Sequence, residues 1–474
     1  MKNSRINWTI FLILGLSSTA CKKQLNVFPT TSEVDGNVIT NQQTAQTVLN
    51  GVYYVFADVG EDYLTGITGI LWSITNEGLP SELAGSITAY SPIDSAILTP
   101  NDPYTDSIWR YGYALVNAAN GFIKNVNPVT NISASVKEQM MAEAKFLRAF
   151  GNLELLLYYG QYNDPSSKYG IILRDTFVTS ANIDLPRSGV TAAYTAILSD
   201  LDSAISGLPV LNTNICYANA SDAKLLKARL LINRGAAGDY AEVISLTSDI
   251  IANGPFALED SLKDIFLTKG FNSNEVMLGI QPFPDDSYKF QAYQVGSSLT
   301  ATDSFVSLLA DDARNQWVYQ YAYNPIQNQS FYELTKYYSG DPVNWVQTPL
   351  SANCYAFRLS EAYLLEAEAI TLSTGNLPTA KTLLTTVMSH AGAGPSEMAA
   401  VANAASPAAL QLEIVKENMR NFSYENGVDW LALRRLPLAT LQTLNPNIID
   451  AHQLIFPIPS AELIYNDVFQ NPGY

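Results

Sequence analysis

SVKEQMMAEAKFLRAFGNLELLLYYG, residues 135–160, is the stretch that decides the fold. Phe146, Phe150, Leu153 and Leu157 recur at i, i+4, i+7 and i+11, which gathers them on one face of an α-helix. Ala144, Leu147 and Gly151 gather on a second face. A helix apolar on two sides packs against two neighbours, so the spacing predicts a long internal helix and, around it, a helical frame.

The flanking sequence carries the same signature. Residues 40–57, 107–126 and 188–208 read as helices, the last closed by Gly207 and Pro209. A helix pair follows at 221–235 and 239–253, joined at RGAAGDY. Its second member places Tyr240, Val243, Ile244, Thr247, Ile250 and Ile251 on one face, opposite Ala223, Leu226 and Leu230 of the first. A second pair spans 357–373 and 377–390, and AGAGP at 391–395 reads as a helix stop before a loop. Short antiparallel pairs with small residues at the crossing resemble degenerate tetratricopeptide units. The fold expected from the residues is predominantly α-helical, with loop-rich irregular insertions in the helical frame. Two stretches make these insertions. Residues 76–106 hold Pro80, Pro92, Pro100 and Pro103, and residues 270–350 break short aromatic runs such as WVYQYAY (317–323) with Pro and Gly. Loops held by a rigid scaffold are where binding groups concentrate.

The first residues have a different logic. Lys2 and Arg5 precede the apolar run Trp8–Leu16, small residues Ser17–Ala20 follow, and then Cys21 stands before Lys22 and Lys23. Charge, apolar core and small residues in that order read as a signal peptide over 1–20. The apolar run falls well short of the roughly 20 residues that span a bilayer. A cysteine at the cleavage point resembles the lipobox of bacterial lipoproteins, although Ser18 stands where the common pattern has Leu. The organisation expected is a signal peptide (1–20), a lipidated linker (21–35) and one domain (36–474).

Composition narrows the chemistry. The 474 residues hold 27 Lys and Arg against 44 Asp and Glu, a net charge of −17. Loss of Lys2 and Arg5 with the leader makes this −19, a balance that repels nucleic acid. His390 and His452 lie far from each other and from any cysteine in sequence, so no local zinc-type cluster can be assembled. G-x-S-x-G, P-loop and G-x-G-x-x-G motifs are absent. A pair of carboxylates for glycoside hydrolysis is not excluded by sequence. No cofactor is expected and a bound ion is left open; Asp285–Asp286 and Asp311–Asp312 read as solvated pairs. Cys216 and Cys354 read as buried thiols, with pairing the alternative. Trp109 and Trp430 sit at helical spacing and read as core. Tyr90, Tyr288, Tyr293, Tyr323 and Trp345 instead stand in Pro- and Gly-rich loops. A flat ring can cover the C–H face of a sugar while polar neighbours bond its hydroxyl edge, which makes these five the candidate ligand contacts.

Five segments together resemble the SusD/RagB family of surface lipoproteins: CKKQLNVFPTT (21–31); AEAKFLRAFGNLELLLYYG (142–160); FRLSEAYLLEAEA (357–369); KENMRNFSYENGVDWLALRRL (416–436), where Asn421 and Ala432 replace expected acidic residues; and FPIPSAELIYNDVFQNPGY (456–474). The resemblance implies a predominantly α-helical fold, an α-α superhelix of four degenerate tetratricopeptide-like units cradling a loop-rich irregular ligand-binding half. It also implies acylation at Cys21, a place on the outer face of a Gram-negative outer membrane, and a SusC-like TonB-dependent transporter as partner. The function implied is glycan capture for nutrient uptake without catalysis. Peptide capture on the same scaffold, and a surface hydrolase working through carboxylates, are the alternatives.

Overall fold

The long helix runs over Ala134–Tyr159 (α3), after Gln42–Phe56 (α1) and Pro103–Val126 (α2), in a computed structural model that describes residues 38–57, 84–85, 98–281, 300–325, 328–338 and 348–474. From Ala142 to Tyr159 almost every α3 side chain is buried, because α2 covers one side and Val190–Gly207 (α4) the other. Gly151 sits where α2 crosses. A Cβ there would lie 3.1 Å from both the Gly112 carbonyl oxygen and a Val116 methyl, so the small-residue face is what lets the two backbones approach.

Ala220–Arg234 (α5) and Asp239–Asn253 (α6) form the first expected pair, turning at Gly235 and Gly238, which both take positive φ. Ala223, Leu226 and Leu230 are buried against Val243, Thr247 and Ile250, with Tyr240, Ile244 and Ile251 packed at the margin. After the short helix Asp303–Leu308 (α7), the second pair is Leu359–Ser373 (α8) and Leu377–Ala391 (α9). Gly392 ends α9 with positive φ, and Pro395–Asn403 (α10) starts three residues later. The expected loop after AGAGP is therefore a tight link between helices, since Pro is well placed in a first helical turn. The same preference at Pro103 brings α2 back into the stretch read as irregular up to residue 106. Pro407–Asn421 (α11), Val428–Leu433 (α12), Leu438–Leu444 (α13) and Ser460–Tyr465 (α14) complete the helices used below.

Ion pairs staple this frame. Arg148 of α3 holds Asp200 of α4 through two bonds of 2.7 Å, and buried Arg229 of α5 grips Glu361 of α8 at 2.7 and 2.8 Å. Arg435 reaches Glu368 at 2.6 Å, and the Tyr53 hydroxyl donates to Glu143 at 2.8 Å. The family-like motifs on α3 and α8 are thus scaffold, as their periodicity predicts.

Strands occur where the sequence broke up. Ala84–Gly85 (β1), Thr300–Ala301 (β3), Tyr319–Asn324 (β4) and Gln329–Leu334 (β5) form an antiparallel sheet in the order β1-β3-β5-β4. Val276–Ile280 (β2) pairs with Cys354–Arg358 (β6), which runs directly into α8. Cys216 and Cys354 are free thiols. Cys216 is buried as read from sequence, whereas Cys354 is only half-buried.

Candidate functional site

The hairpin β4–β5 stands on two buried charge clusters. At its entry, Asp312 caps the 3-10 turn Ala313–Gln316 by accepting from the Arg314 amide at 2.8 Å. The Arg314 side chain is fully buried between two carboxylates: Nε donates to both Asp312 oxygens at 2.9 Å, and Nη1 and Nη2 reach Glu417 of α11 at 2.7 and 2.9 Å. Glu397 of α10 joins the cluster through Arg420, at 3.1 Å. Burial, with the Asp312 charge beside it, pushes the Glu397 carboxyl up to about 7 against the pull of Arg420. Of the Asp311–Asp312 pair read as solvated, Asp311 is exposed and accepts from the Ser396 amide at the start of α10, whereas Asp312 is internal. A guanidinium two residues downstream supplies the counter-charge that makes burial of Asp312 tolerable.

At the exit of β5, buried Lys336 donates to Glu425 at 2.7 Å and to the Ser423 carbonyl at 2.6 Å. Arg358 holds the same Glu425, as well as Glu275 and the Asn421 side chain, each at 2.8 Å. Burial alone would raise the Glu425 carboxyl, but Arg358 and Lys336 hold it below the usual range. Asn421, which departs from the acidic residue of the family pattern, thus keeps a role as acceptor for Arg358.

Away from these roots the hairpin becomes exposed. Strand periodicity puts Tyr319, Tyr321 and Tyr323 on one face of β4, with Tyr332 and Ser330 opposite on β5. Tyr319 is buried against Phe305, whereas Tyr321 and Tyr323 are 63% and 55% exposed. Tyr332 meets Tyr319 and Tyr321 edge-on, with ring centroids at 5.5 and 5.9 Å. Each exposed ring is tethered: the Tyr321 hydroxyl donates to Ser330 at 2.7 Å, and that of Tyr323 to Asn328 at 2.6 Å. Asn328 takes φ +53°, which an Asn in a turn tolerates. The result is a pair of exposed, tethered aromatic rings on a two-stranded ribbon, with hydroxyl and amide groups beside them.

Of the residues named from sequence, Tyr323 belongs to this surface. Cys21, Tyr90, Tyr288, Tyr293 and Trp345 lie outside the described residues. Tyr321 and Tyr332 were not singled out, although the alternation in YQYAYN (319–324) is the signal that places Tyr321 beside Tyr323. Among the described residues no group of three or more His, Cys, Asp and Glu is arranged to hold a metal ion, and no helix is long and apolar enough to cross a membrane.

A helical frame of stacked pairs carrying an aromatic-bearing irregular half defines a class of binding scaffold, and the comparisons say which. Residues 74–223 match the SusD-like model described as starch-binding, associating with outer membrane, and residues 312–474 match the SusD family model. The chain belongs to the SusD/RagB family. A SusD superfamily protein from Bacteroides thetaiotaomicron VPI-5482 is similar in structure with TM-score 0.74 and 21% identity, covering 91% of this chain and all of its own. One from Parabacteroides distasonis ATCC 8503 gives 0.74 and 19%, over 92% of this chain and all of its own. A laminarin-binding SusD-like protein gives 0.69 and 20%, over 92% of this chain and all of its own. No curated protein matches the chain.

Proposed function

We propose that this chain is a lipid-anchored protein of the outer-membrane surface that captures oligosaccharide or polysaccharide and hands it to a SusC-like TonB-dependent transporter, without turning it over. Family membership carries the reading, since one matching model is described as starch-binding and a relative in fold is described as laminarin-binding. The hairpin supplies a chemistry that fits. Tyr321 and Tyr323 offer ring surface to the apolar face of a pyranose, and Ser330, Asn328 and Gln329 stand within the same ribbon to meet hydroxyls. Tyr90, Tyr288, Tyr293 and Trp345 are proposed as further contacts. Calorimetry of the mature protein against a glycan panel tests this. Saturable heat with at least one glycan is expected, and each of Y321A and Y323A should weaken it roughly fivefold, the value of about 1 kcal/mol for one aromatic contact. No heat with any sugar but heat with peptide pools selects the peptide alternative; new reducing ends select a hydrolase.

A further inference from the structure

The outer part of the β4–β5 ribbon is built without charge. From Gln320 to Tyr332 the sequence QYAYNPIQNQSFY holds only aromatic, amide, hydroxyl and apolar groups. The next charged residue along β5, Glu333, is negative and buried. In the two irregular insertions, 76–106 and 270–350, the basic residues are Lys289, Arg314 and Lys336. Lys289 lies outside the described residues. The side chains of Arg314 and Lys336 are 0% and 1% exposed, and each already holds carboxylates: Asp312 and Glu417 for the first, Glu425 for the second. Both charges are spent inside the frame.

The hydroxyls on the exposed rings are committed in a way that favours one kind of partner. Tyr323 donates its hydrogen to Asn328 Oδ1 at 2.6 Å, and Tyr321 donates to Ser330 Oγ at 2.7 Å. Each phenolic oxygen then offers a ligand only its capacity to accept. A sugar hydroxyl donates to such an oxygen. A carboxylate or sulfate group accepts only, and brings lone pairs against lone pairs. Setting an ionised group on ring faces with no counter-charge also costs far more than placing a hydroxyl that finds its hydrogen bond there. At longer range the net charge of −17 acts in the same direction, because it repels a polyanion before contact. The C–H face of an uncharged sugar meets an aromatic ring without any of these costs.

Resting on the reading that this ribbon binds glycan, we infer that its ligand is a neutral oligosaccharide and that the ribbon discriminates against glycans carrying uronate or sulfate groups. The test is calorimetry of the mature protein against two sets of probes. One set holds neutral gluco-, xylo- and manno-oligosaccharides, the other galacturonate, alginate and chondroitin sulfate oligosaccharides. At least one neutral probe should bind, and every acidic probe should bind more weakly than the best neutral one by at least about tenfold, or about 1.4 kcal/mol. S330K sets an ammonium on the face shared with Tyr321 and Tyr323, so it should gain affinity for acidic probes, and added salt should remove the gain. An acidic probe within about tenfold of the best neutral one overturns the inference and leaves glycan capture standing. Heat with no sugar of either set overturns that underlying reading, and the inference with it. If S330K still binds neutral sugars and gains nothing for acidic ones, the assignment of the discrimination to the ribbon falls. The wild-type comparison decides the ligand class even if S330K fails to fold.

Discussion

Glu154 shows how much a single residue can hide from sequence. Burial pushes its carboxyl up to about 7, with Glu361 adding to the rise and Arg229 and Arg434 opposing it. In the unfolded chain the group returns to about 4.3. A folded value above the unfolded one means stability that is fully present below pH 4.3 and is lost as pH rises through 7. E154Q cannot ionise, so the difference in unfolding free energy between wild type and E154Q should shift by about 3 kcal/mol against wild type between pH 4.5 and pH 8. Parallel urea titrations across that range check it, and a constant difference would mean that Glu154 is ionised throughout. Residue-level reading worked best where a pattern was local. The helical spacing marked the Phe146–Arg148 motif as frame, and the structure puts it there. The charged partners were out of reach, because Asp200, which holds Arg148, and Arg229, which holds Glu361, are brought alongside by tertiary packing and no sequence spacing announces them.

At the scale of elements, the helices were legible to within a few residues, since 3.6-residue periodicity is written into each buried face. Residues 239–253 were placed as observed. The ribbon β4–β5 was only partly legible. WVYQYAY marked an aromatic stretch, but β pairing is decided by cross-strand partners and by the charge clusters at the hairpin base. Those clusters make a prediction. Replacing Arg314 by Met leaves Asp312 and Glu417 buried without their counter-charge, although Glu397 and Asp312 can share a proton and Arg420 lies 3.7 Å from Glu417. Breaking a buried pair from one side costs about 3–5 kcal/mol, so R314M should lower the urea midpoint by a corresponding amount. The hairpin, which follows Arg314 directly, should loosen with it, and amide exchange at β4 should rise more than at α3. A loss under about 1 kcal/mol would show that the cluster is incidental to the element it supports.

For the whole molecule, the overall class could be read because five separate segments follow one family's order, whereas the candidate ligand surface on β4–β5 could not, because no fixed motif marks it. The same asymmetry governs what attaches the protein to its surroundings. No helix among the described residues is long and apolar enough to cross a membrane, and the attachment proposed above is through Cys21. One acyl chain gives only weak, reversible binding, while two or more on one residue hold firmly, at about 0.8 kcal/mol for each buried methylene. In the native host, an alkyne-tagged fatty acid should therefore label the wild-type chain, and the wild type should sediment with the outer membrane. C21A should lose the label and move to the soluble fraction, with its thermal unfolding in vitro unchanged, because position 21 lies before the helical frame. A large outer-membrane barrel should co-purify with the wild type from detergent extracts, and less of it with C21A, since anchoring raises the local concentration of each partner for the other. Equal membrane recovery of both forms would mean that protein contacts, with no help from the lipid, keep the chain in place.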